Sequence, residues 1–174
     1  MLTTKIARLA PNALLAVLAG GLIACGGGDA APAEDAPPAA EPAPMAQTAG
    51  IDGATEYTTT CSACHQANGE GMPGAFPPLA GSDIANNPSP DRMIAIVLKG
   101  LQGPVTVKGM EYNGMMAPWE SLSDEQIAAI TTYERSSWGN SAPAVTTEMV
   151  AAVRAKVADR TTSWTMAELE AAIP

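Results

Sequence analysis

Apolar residues recur at three- and four-residue steps in several stretches after residue 50, which is the spacing of amphipathic helices. We expect a short helix over residues 51–60. A second helix is predicted to begin at Ser89-Pro90-Asp91, because Ser is a favoured N-cap and Pro is favoured at the first helical position. Gly100 or Gly103 is expected to end it.

Capping residues predict three further helices. The first runs from the capping box at Ser123–Gln126 to near Gly139. Thr146 or Thr147 caps the next, and the capping box at Thr165–Glu168 opens a short last helix. Apolar residues follow each cap at helical spacing, so this part of the chain is predicted to be mainly α-helical.

The segment between the second and third helices has a different pattern. Residues 105–107 (Val-Thr-Val) and 110–112 (Met-Glu-Tyr) flank the pair Lys108-Gly109. We expect a small β-hairpin there, followed by a loop rich in Gly and Pro. The sequence contains neither an internal repeat nor a Gly-rich phosphate-binding loop.

The first 24 residues have the pattern of a bacterial export signal. Lys5 and Arg8 form a basic start, and residues 13–24 form an apolar run too short to span a membrane, which takes about 20 residues. The run ends in Leu-Ile-Ala followed by Cys25, which resembles the lipobox of bacterial lipoproteins. The alternative is an ordinary secretory signal with an incidental cysteine. We expect residues 1–24 to be a signal peptide and a lipid on Cys25 to hold the protein at the periplasmic side of a bacterial membrane, either inner or outer.

Residues 26–50 are rich in Ala, Pro, Gly and acidic residues and show no apolar period, which is typical of a disordered linker. Residues 25–50 are therefore predicted to form a lipidated cysteine and a tether, with an end-to-end distance of about 25–30 Å as a random coil. The whole chain has a formal net charge of −9. Such a charge disfavours nucleic acid as a partner, because its phosphates attract basic surfaces.

The candidate chemistry is concentrated in the motif Cys61-Ser62-Ala63-Cys64-His65. The chain has 3 cysteines and 1 histidine, so this motif holds all of them except Cys25. Cys-x-x-Cys-His is the attachment pattern of c-type haem, in which each thiol forms a thioether with a vinyl group and the histidine binds iron. A thioredoxin-like dithiol needs a preceding strand and a zinc site needs more ligands, which makes both alternatives weaker. We therefore predict one covalently attached haem c, which also supplies the bulky core that a chain with 4% aromatic residues otherwise lacks.

With this motif in place, residues 51–140 resemble the class I cytochromes c. Gly53 lies eight positions before Cys61, like the glycine of the family's first helix, and Tyr133 resembles the aromatic residue of its last helix. The resemblance implies an all-α fold of four to five short helices around the haem, with the last helix crossing the first near Gly53. It thins beyond residue 140, and we expect residues 141–174 to form a helical extension packed on this domain; the alternative is a docking element for a partner.

The resemblance also implies a partner for the histidine ligand. Pro77 follows His65 by twelve positions, and family members place a proline carbonyl there to accept the Nδ1 proton of the histidine. Such a bond fixes the tautomer and raises the basicity of the imidazole. Pro77 is therefore expected to border the cofactor.

The sixth iron ligand is expected to be a methionine. The run Tyr-Asn-Gly-Met-Met at residues 112–116 resembles the Tyr-Asn-Gly-x-Met ligand loop of one class I subgroup, which makes Met116 the ligand. The family often has proline directly after this methionine, whereas here Ala117 intervenes. Met115 therefore stays open as the alternative, with Met110 a more remote one.

The same loop offers polar side chains to the site. Asn113, Trp119 and Tyr112 are placed either to hydrogen-bond the ligand sulfur or the haem propionates, or only to pack the loop.

A histidine and a methionine ligand together fill both axial positions of iron, which leaves no position for a substrate. The sequence therefore predicts an electron-transfer protein and not an enzyme, cycling Fe(III)/Fe(II) between redox protein partners outside the cytoplasm. The alternative is a tightly bound electron-transfer subunit of a dehydrogenase, reductase or oxidase complex. A third reading is a haem sensor or enzyme with an open sixth site.

Overall fold

The computed structural model describes residues 50–174, so the expected signal peptide, Cys25 and nearly all of the tether lie outside the described residues. In chain order, the elements of the described part are helix α1 Gly53–Thr60, α2 Ser62–His65, α3 Asp83–Asn86, α4 Asp91–Lys99, strand β1 Leu101–Val107, β2 Met110–Met116, helix α5 Asp124–Ser136, α6 Thr147–Lys156 and α7 Met166–Ala172. The described chain is mostly helical with one antiparallel hairpin, which confirms the expected fold class.

The helix starts follow the capping residues. Ser123 and Thr165 both form complete capping boxes, and the hydroxyl of Thr146 accepts a hydrogen bond from the backbone N–H of Met149. Each of these helix N-termini is determined by residues within one turn, which is why the sequence alone locates it. The helix α4 begins one residue later than expected, although Ser89 still accepts a hydrogen bond from the N–H of Asp91.

Two features of the helices differ from the sequence expectation. Two single-turn helices, α2 and α3, raise the count among the described residues to seven instead of four to five. The helix α5 also ends at Ser136 and not near Gly139, because Trp138 and Gly139 both adopt positive φ, at 54° and 86°. Asn140 supports this end by donating from its side chain to the carbonyl of Glu134 at 2.7 Å.

The hairpin is longer than expected, and the expectation of a loop around Met116 is wrong. Strands β1 and β2 pair over seven residues each, from Leu101 opposite Met116 to Val107 opposite Met110. Gly103 lies opposite Gly114, so the pairing continues through a stretch whose glycines suggest a loop. The expected ligand Met116 is therefore the last residue of a strand.

Helices α1 and α5 cross at Gly53, as the family resemblance implies. A Cβ atom at position 53 would collide with the backbone carbonyl of Ala129 and lie 3.1 Å from the Cβ of Tyr133. The crossing is flanked by three aromatic rings in tilted contact, because the ring of Tyr57 lies 5.4 Å from that of Tyr133 and 5.0 Å from that of Trp138. Only glycine allows the two backbones to approach this closely.

The C-terminal residues share one core with the rest of the described chain. Val150 and Val153 of α6 and Leu169 of α7 are buried in the same apolar cluster as Ile94 of α4. The indole N–H of Trp164 donates to the backbone carbonyl of Ala95 at 3.1 Å. Two further backbone bonds join this segment to the start of β1, from Trp164 N to Gly100 O and from Gln102 N to Trp164 O.

Candidate functional site

The Cys-x-x-Cys-His motif lies at the turn between α1 and α2. Cys61 caps the end of α1, while Cys64 and His65 form the end of α2. Both thiols are unpaired; Cys61 is half-buried and Cys64 is exposed, whereas His65 is 9% exposed. The one-turn helix brings the two thiols and the imidazole together at one place on the surface.

The imidazole of His65 is hydrogen-bonded to the loop that follows the motif. Its Nδ1 atom lies 2.9 Å from the carbonyl oxygen of Pro77, and since a carbonyl only accepts, Nδ1 carries the proton. The Nε2 lone pair is thereby left for a metal. Burial lowers the pKa of His65 below its ordinary value, and the hydrogen bond to Pro77 opposes that shift, so the neutral ligand form is favoured near neutral pH.

Gly71 holds the loop that presents this carbonyl. Its N–H donates to the backbone oxygen of His65 at 2.9 Å, and its φ of +64° lies in the left-handed region. A Cβ atom here would collide with the carbonyl of Phe76 and lie 2.6 Å from that of Pro77. Glycine at this position therefore sets the distance between the loop and the histidine.

Two cavities, of about 240 and 280 Å³, adjoin the motif. Both are lined mainly by apolar side chains, and Cys61, His65, Pro77, Leu101 and Met116 are in the wall of each. The hairpin thus supplies a methionine sulfur to the same space that receives the histidine.

The three candidate methionines differ in position. Met116 is half-buried and lines both cavities, whereas Met115 is 74% exposed and Met110 is 45% exposed. Met115 is the neighbouring residue of the strand, and successive residues of a strand alternate between its two faces. It reaches only the second cavity.

The polar residues of the same region also differ in whether they line the cavities. Trp119 lines both cavities, and Tyr112 is buried in the wall of the second. Asn113 is exposed and in the wall of neither. Tyr112 and Trp119 therefore border the site, and Asn113 does not.

The donor set fits a covalently attached haem. Two free thiols, a neutral imidazole with Nε2 available and a thioether in the wall of one cavity are the groups that c-type attachment and iron ligation use. The apolar lining suits the porphyrin face. Among residues 50–174, no group of three His, Cys, Asp or Glu side chains forms an alternative metal cluster.

One residue of the cavity wall was missed from the sequence. Glu134 lines the first cavity and is 3% exposed, and the thiol of Cys61 hydrogen-bonds its carboxyl group. Burial raises the pKa of Glu134 to about 8. The available signal was a carboxylate four positions after Ile130 and seven after Ile127, on the apolar face of α5.

None of the helices within residues 50–174 is long and apolar enough to cross a membrane.

Comparison with known proteins identifies relatives of the same region. The sequence profile of the family "Cytochrome c" matches residues 51–138. The chain is 46% identical over 95 residues to cytochrome c-552 of Thermus thermophilus, which is 53% of this chain and 64% of that protein. It is 34% identical over 100 residues to the cytochrome c subunit of the quinone alcohol dehydrogenase of Gluconacetobacter polyoxogenes, covering 58% of this chain and 21% of the subunit. The cytochrome subunit of fructose dehydrogenase from Gluconobacter japonicus is 32% identical over 114 residues, which is 62% of this chain and 23% of that subunit.

Proposed function

Since the chain belongs to the cytochrome c family and binds haem c covalently, we propose that it is a lipid-anchored, single-haem electron carrier on the periplasmic side of a bacterial membrane. The observation that carries this proposal is the shared cavity wall of His65 and Met116, beside the thiols of Cys61 and Cys64. If His65 and Met116 both bound the iron, the chain would supply both protein ligands and leave no position for a substrate, which suits electron transfer.

In this proposal Cys61 and Cys64 hold the haem through thioethers, and His65 and Met116 bind its iron. Haem supplies a one-electron Fe(III)/Fe(II) couple when bound. Pro77 keeps the imidazole in one tautomer and one orientation through its 2.9 Å contact with Nδ1. The methionine sulfur favours the ferrous state and so raises the reduction potential relative to a second histidine.

Met116 is preferred to Met115 as the sixth ligand on two grounds. Its side chain belongs to the wall of both cavities, and it lies opposite Leu101, which lines them too. Met115 is mostly exposed and faces the other side of the strand.

Cys25 is proposed as the lipidated residue, with residues 26–50 as the tether to the haem domain. A coil of this length lets the domain reach membrane redox proteins within about 25–30 Å of the anchor. Cys64 and Met115 are exposed and line the second cavity, so a redox partner would approach a bound haem from their side.

A second candidate is a tightly bound subunit of an enzyme complex. It is favoured by the similarity to cytochrome subunits of alcohol and fructose dehydrogenases, although the match covers only about a fifth of those subunits. Residues 141–174 weaken it, because most of their large apolar side chains are buried in the chain's own core and only Met149 among them is exposed.

Native purification from membranes separates the two candidates. A free carrier elutes alone after mild solubilisation and is reduced and reoxidised rapidly by added redox partners. Co-elution with stoichiometric dehydrogenase, reductase or oxidase subunits would instead favour the complex.

Optical spectroscopy tests the closed iron site. The ferric protein should show the long-wavelength charge-transfer band of an iron–thioether bond, and the ferrous protein should not bind carbon monoxide readily. An absent band together with rapid carbon monoxide binding would favour a sensor or enzyme with an open sixth position.

A further inference from the structure

Glu134 is a buried carboxyl group without an ionic partner. It is 3% exposed and lies in the wall of the first cavity. The ion pairs among residues 50–174 are Lys99–Glu120, Arg154–Asp124 and Arg160–Glu168, so Glu134 takes part in none of them. Burying a carboxylate in this way strongly favours its neutral form.

Two titratable groups that interact with Glu134 come from α1 and its C-cap. The thiol of Cys61 hydrogen-bonds the carboxyl, and Tyr57 interacts with it electrostatically. The phenol of Tyr57 donates its own proton to the carbonyl of Gln66 at 2.7 Å. Neither neighbour carries a positive charge that would stabilise the carboxylate.

Other elements bring charged groups to the wall of the first cavity or to α5 itself. Asp83 of α3, Arg92 of α4 and Glu170 of α7 line the same cavity, and Arg92 donates from Nε to the carbonyl of Ile173 at 2.6 Å. Arg154 of α6 pairs with the first residue of α5, ten positions before Glu134.

The adjacent Arg135 is the nearest cation in sequence, but its guanidinium group binds backbone carbonyls and not Glu134. Its guanidinium group is buried and donates to three backbone carbonyls, those of Pro143, Ala85 and Pro88. These contacts hold Arg135 between α3 and the segment after α5.

Haem attachment changes the surroundings of Glu134, and here the inference rests on the proposed function. When Cys61 adds to a vinyl group, a carbon–sulfur bond forms and the thiol hydrogen ends on the vinyl carbon. The thiol donor of Glu134 is thereby lost. The carboxyl group then remains in the cavity wall beside the attachment point. There the charge at iron influences whether the carboxyl group is protonated.

We propose that Glu134 is a proton-binding site coupled to the electron, taking up one proton when the iron is reduced and releasing it when the iron is oxidised. A redox partner supplies the electron and lowers the charge at iron by one. The carboxylate oxygen then forms an O–H bond with a proton from water, and oxidation reverses both steps.

The electrostatics of the site support this assignment. Burial raises the pKa of Glu134 to about 8, and the thiol of Cys61 is the group that lowers it, so losing that donor raises the pKa further. The positive charge of ferric iron lowers the pKa of the Glu134 carboxyl group, and the smaller charge of ferrous iron lowers it less. The two oxidation states thus have different proton affinities, and by linkage the proton affects the potential to the same extent.

The test is the reduction potential of the haem-loaded protein as a function of pH, between about pH 5 and pH 10 by spectroelectrochemistry. We expect the potential to fall with rising pH across one window and to level off on either side. A difference in proton affinity on the order of tenfold between the two states corresponds to a total fall of about 59 mV for a one-electron couple. Glu134→Gln should remove this fall, whereas the control Glu170→Gln, an exposed carboxyl in the same cavity wall, should retain it.

A wild-type potential that does not change with pH would overturn the inference. So would an unchanged fall in Glu134→Gln, since the proton would then reside on another group such as a haem propionate. If the glutamine variant does not accumulate, the reduced-minus-oxidised infrared spectrum of the wild type decides. A protonated-carboxyl band should appear on reduction and should move in Glu134→Asp; its absence would refute the assignment.

The same samples separate this inference from the proposed function. A protein that keeps its iron–thioether band but has a pH-independent potential contradicts only the role of Glu134. A protein without that band contradicts the ligand set itself.

Discussion

The α-carbon of Gly71 faces the carbonyl group of Pro77 so closely that a Cβ atom at position 71 would lie 2.6 Å from its oxygen. That oxygen is the atom 2.9 Å from Nδ1 of His65. A backbone position six residues after the histidine therefore fixes the group that orients its ring.

Gly71→Ala should disturb the histidine ligand as well as the fold. The left-handed φ alone costs about 1–2 kcal/mol for a non-glycine residue, and here the added methyl group also displaces the Pro77 carbonyl. Thermal unfolding and the low-spin fraction of the ferric haem measure the two effects. Gly74→Ala is the matched control, because its φ of +76° is similar but no atom lies within 4 Å of the added group. Equal low-spin spectra for both variants would show that the carbonyl is not held by Gly71.

Replacing Met116 should remove the iron–thioether bond. We expect Met116→Ala to lose the long-wavelength ferric band, to bind carbon monoxide when reduced and to have a lower reduction potential. The control Met115→Ala should keep all three properties, since Met115 is 74% exposed on the opposite face of the strand. Loss of the band in Met115→Ala instead would identify Met115 as the ligand.

Trp164→Phe should destabilise the chain without changing the haem spectrum. It removes the 3.1 Å hydrogen bond from the indole N–H to the carbonyl of Ala95, and losing one such bond costs about 0.5–1.5 kcal/mol. It also weakens the contact with Arg160, whose guanidinium carbon lies 3.6 Å from the centre of the indole ring. Denaturant unfolding measures the loss, and Trp119→Phe, within the site, is the variant expected to alter the spectrum instead.

Glu134 predicts a pH-dependent stability. Its pKa is raised from 4.5 to about 8 in the folded chain, so between those values the folded state holds more protons than the unfolded state. The free energy of unfolding should therefore fall as the pH rises from about 5 to at least about 8, and further in the haem-loaded protein, where the Cys61 donor is lost. Thermal unfolding at fixed oxidation state checks this. A Glu134→Gln variant with the same slope as the wild type would be inconsistent with a buried, neutral carboxyl.

The sequence predicts most of what is local in this fold. The capping boxes at Ser123 and Thr165 and the haem motif at residues 61–65 are short contiguous patterns whose physical meaning does not depend on distant residues. The hairpin was predicted too short because Gly103 and Gly114 suggest a loop, and only their position opposite each other keeps the strands paired.

The cavity wall was less accessible to sequence reasoning. Glu134 enters it because α5 packs across α1 at Gly53, a contact between residues more than seventy positions apart. A buried acid on an apolar helical face is a recognisable irregularity, but its neighbour Cys61 becomes evident only when the two helices are assembled.

Leu101 pairs with Met116 on one side and forms a β-bridge with Trp164 on the other. The strand opposite the proposed methionine ligand is therefore completed by Trp164, a residue much later in the chain. A polypeptide leaves the ribosome, and on export crosses the membrane, from its N-terminus. The residues that attach haem emerge about a hundred positions before Trp164. The order of synthesis therefore allows the porphyrin to be joined before Trp164 completes the strand beside the proposed methionine ligand.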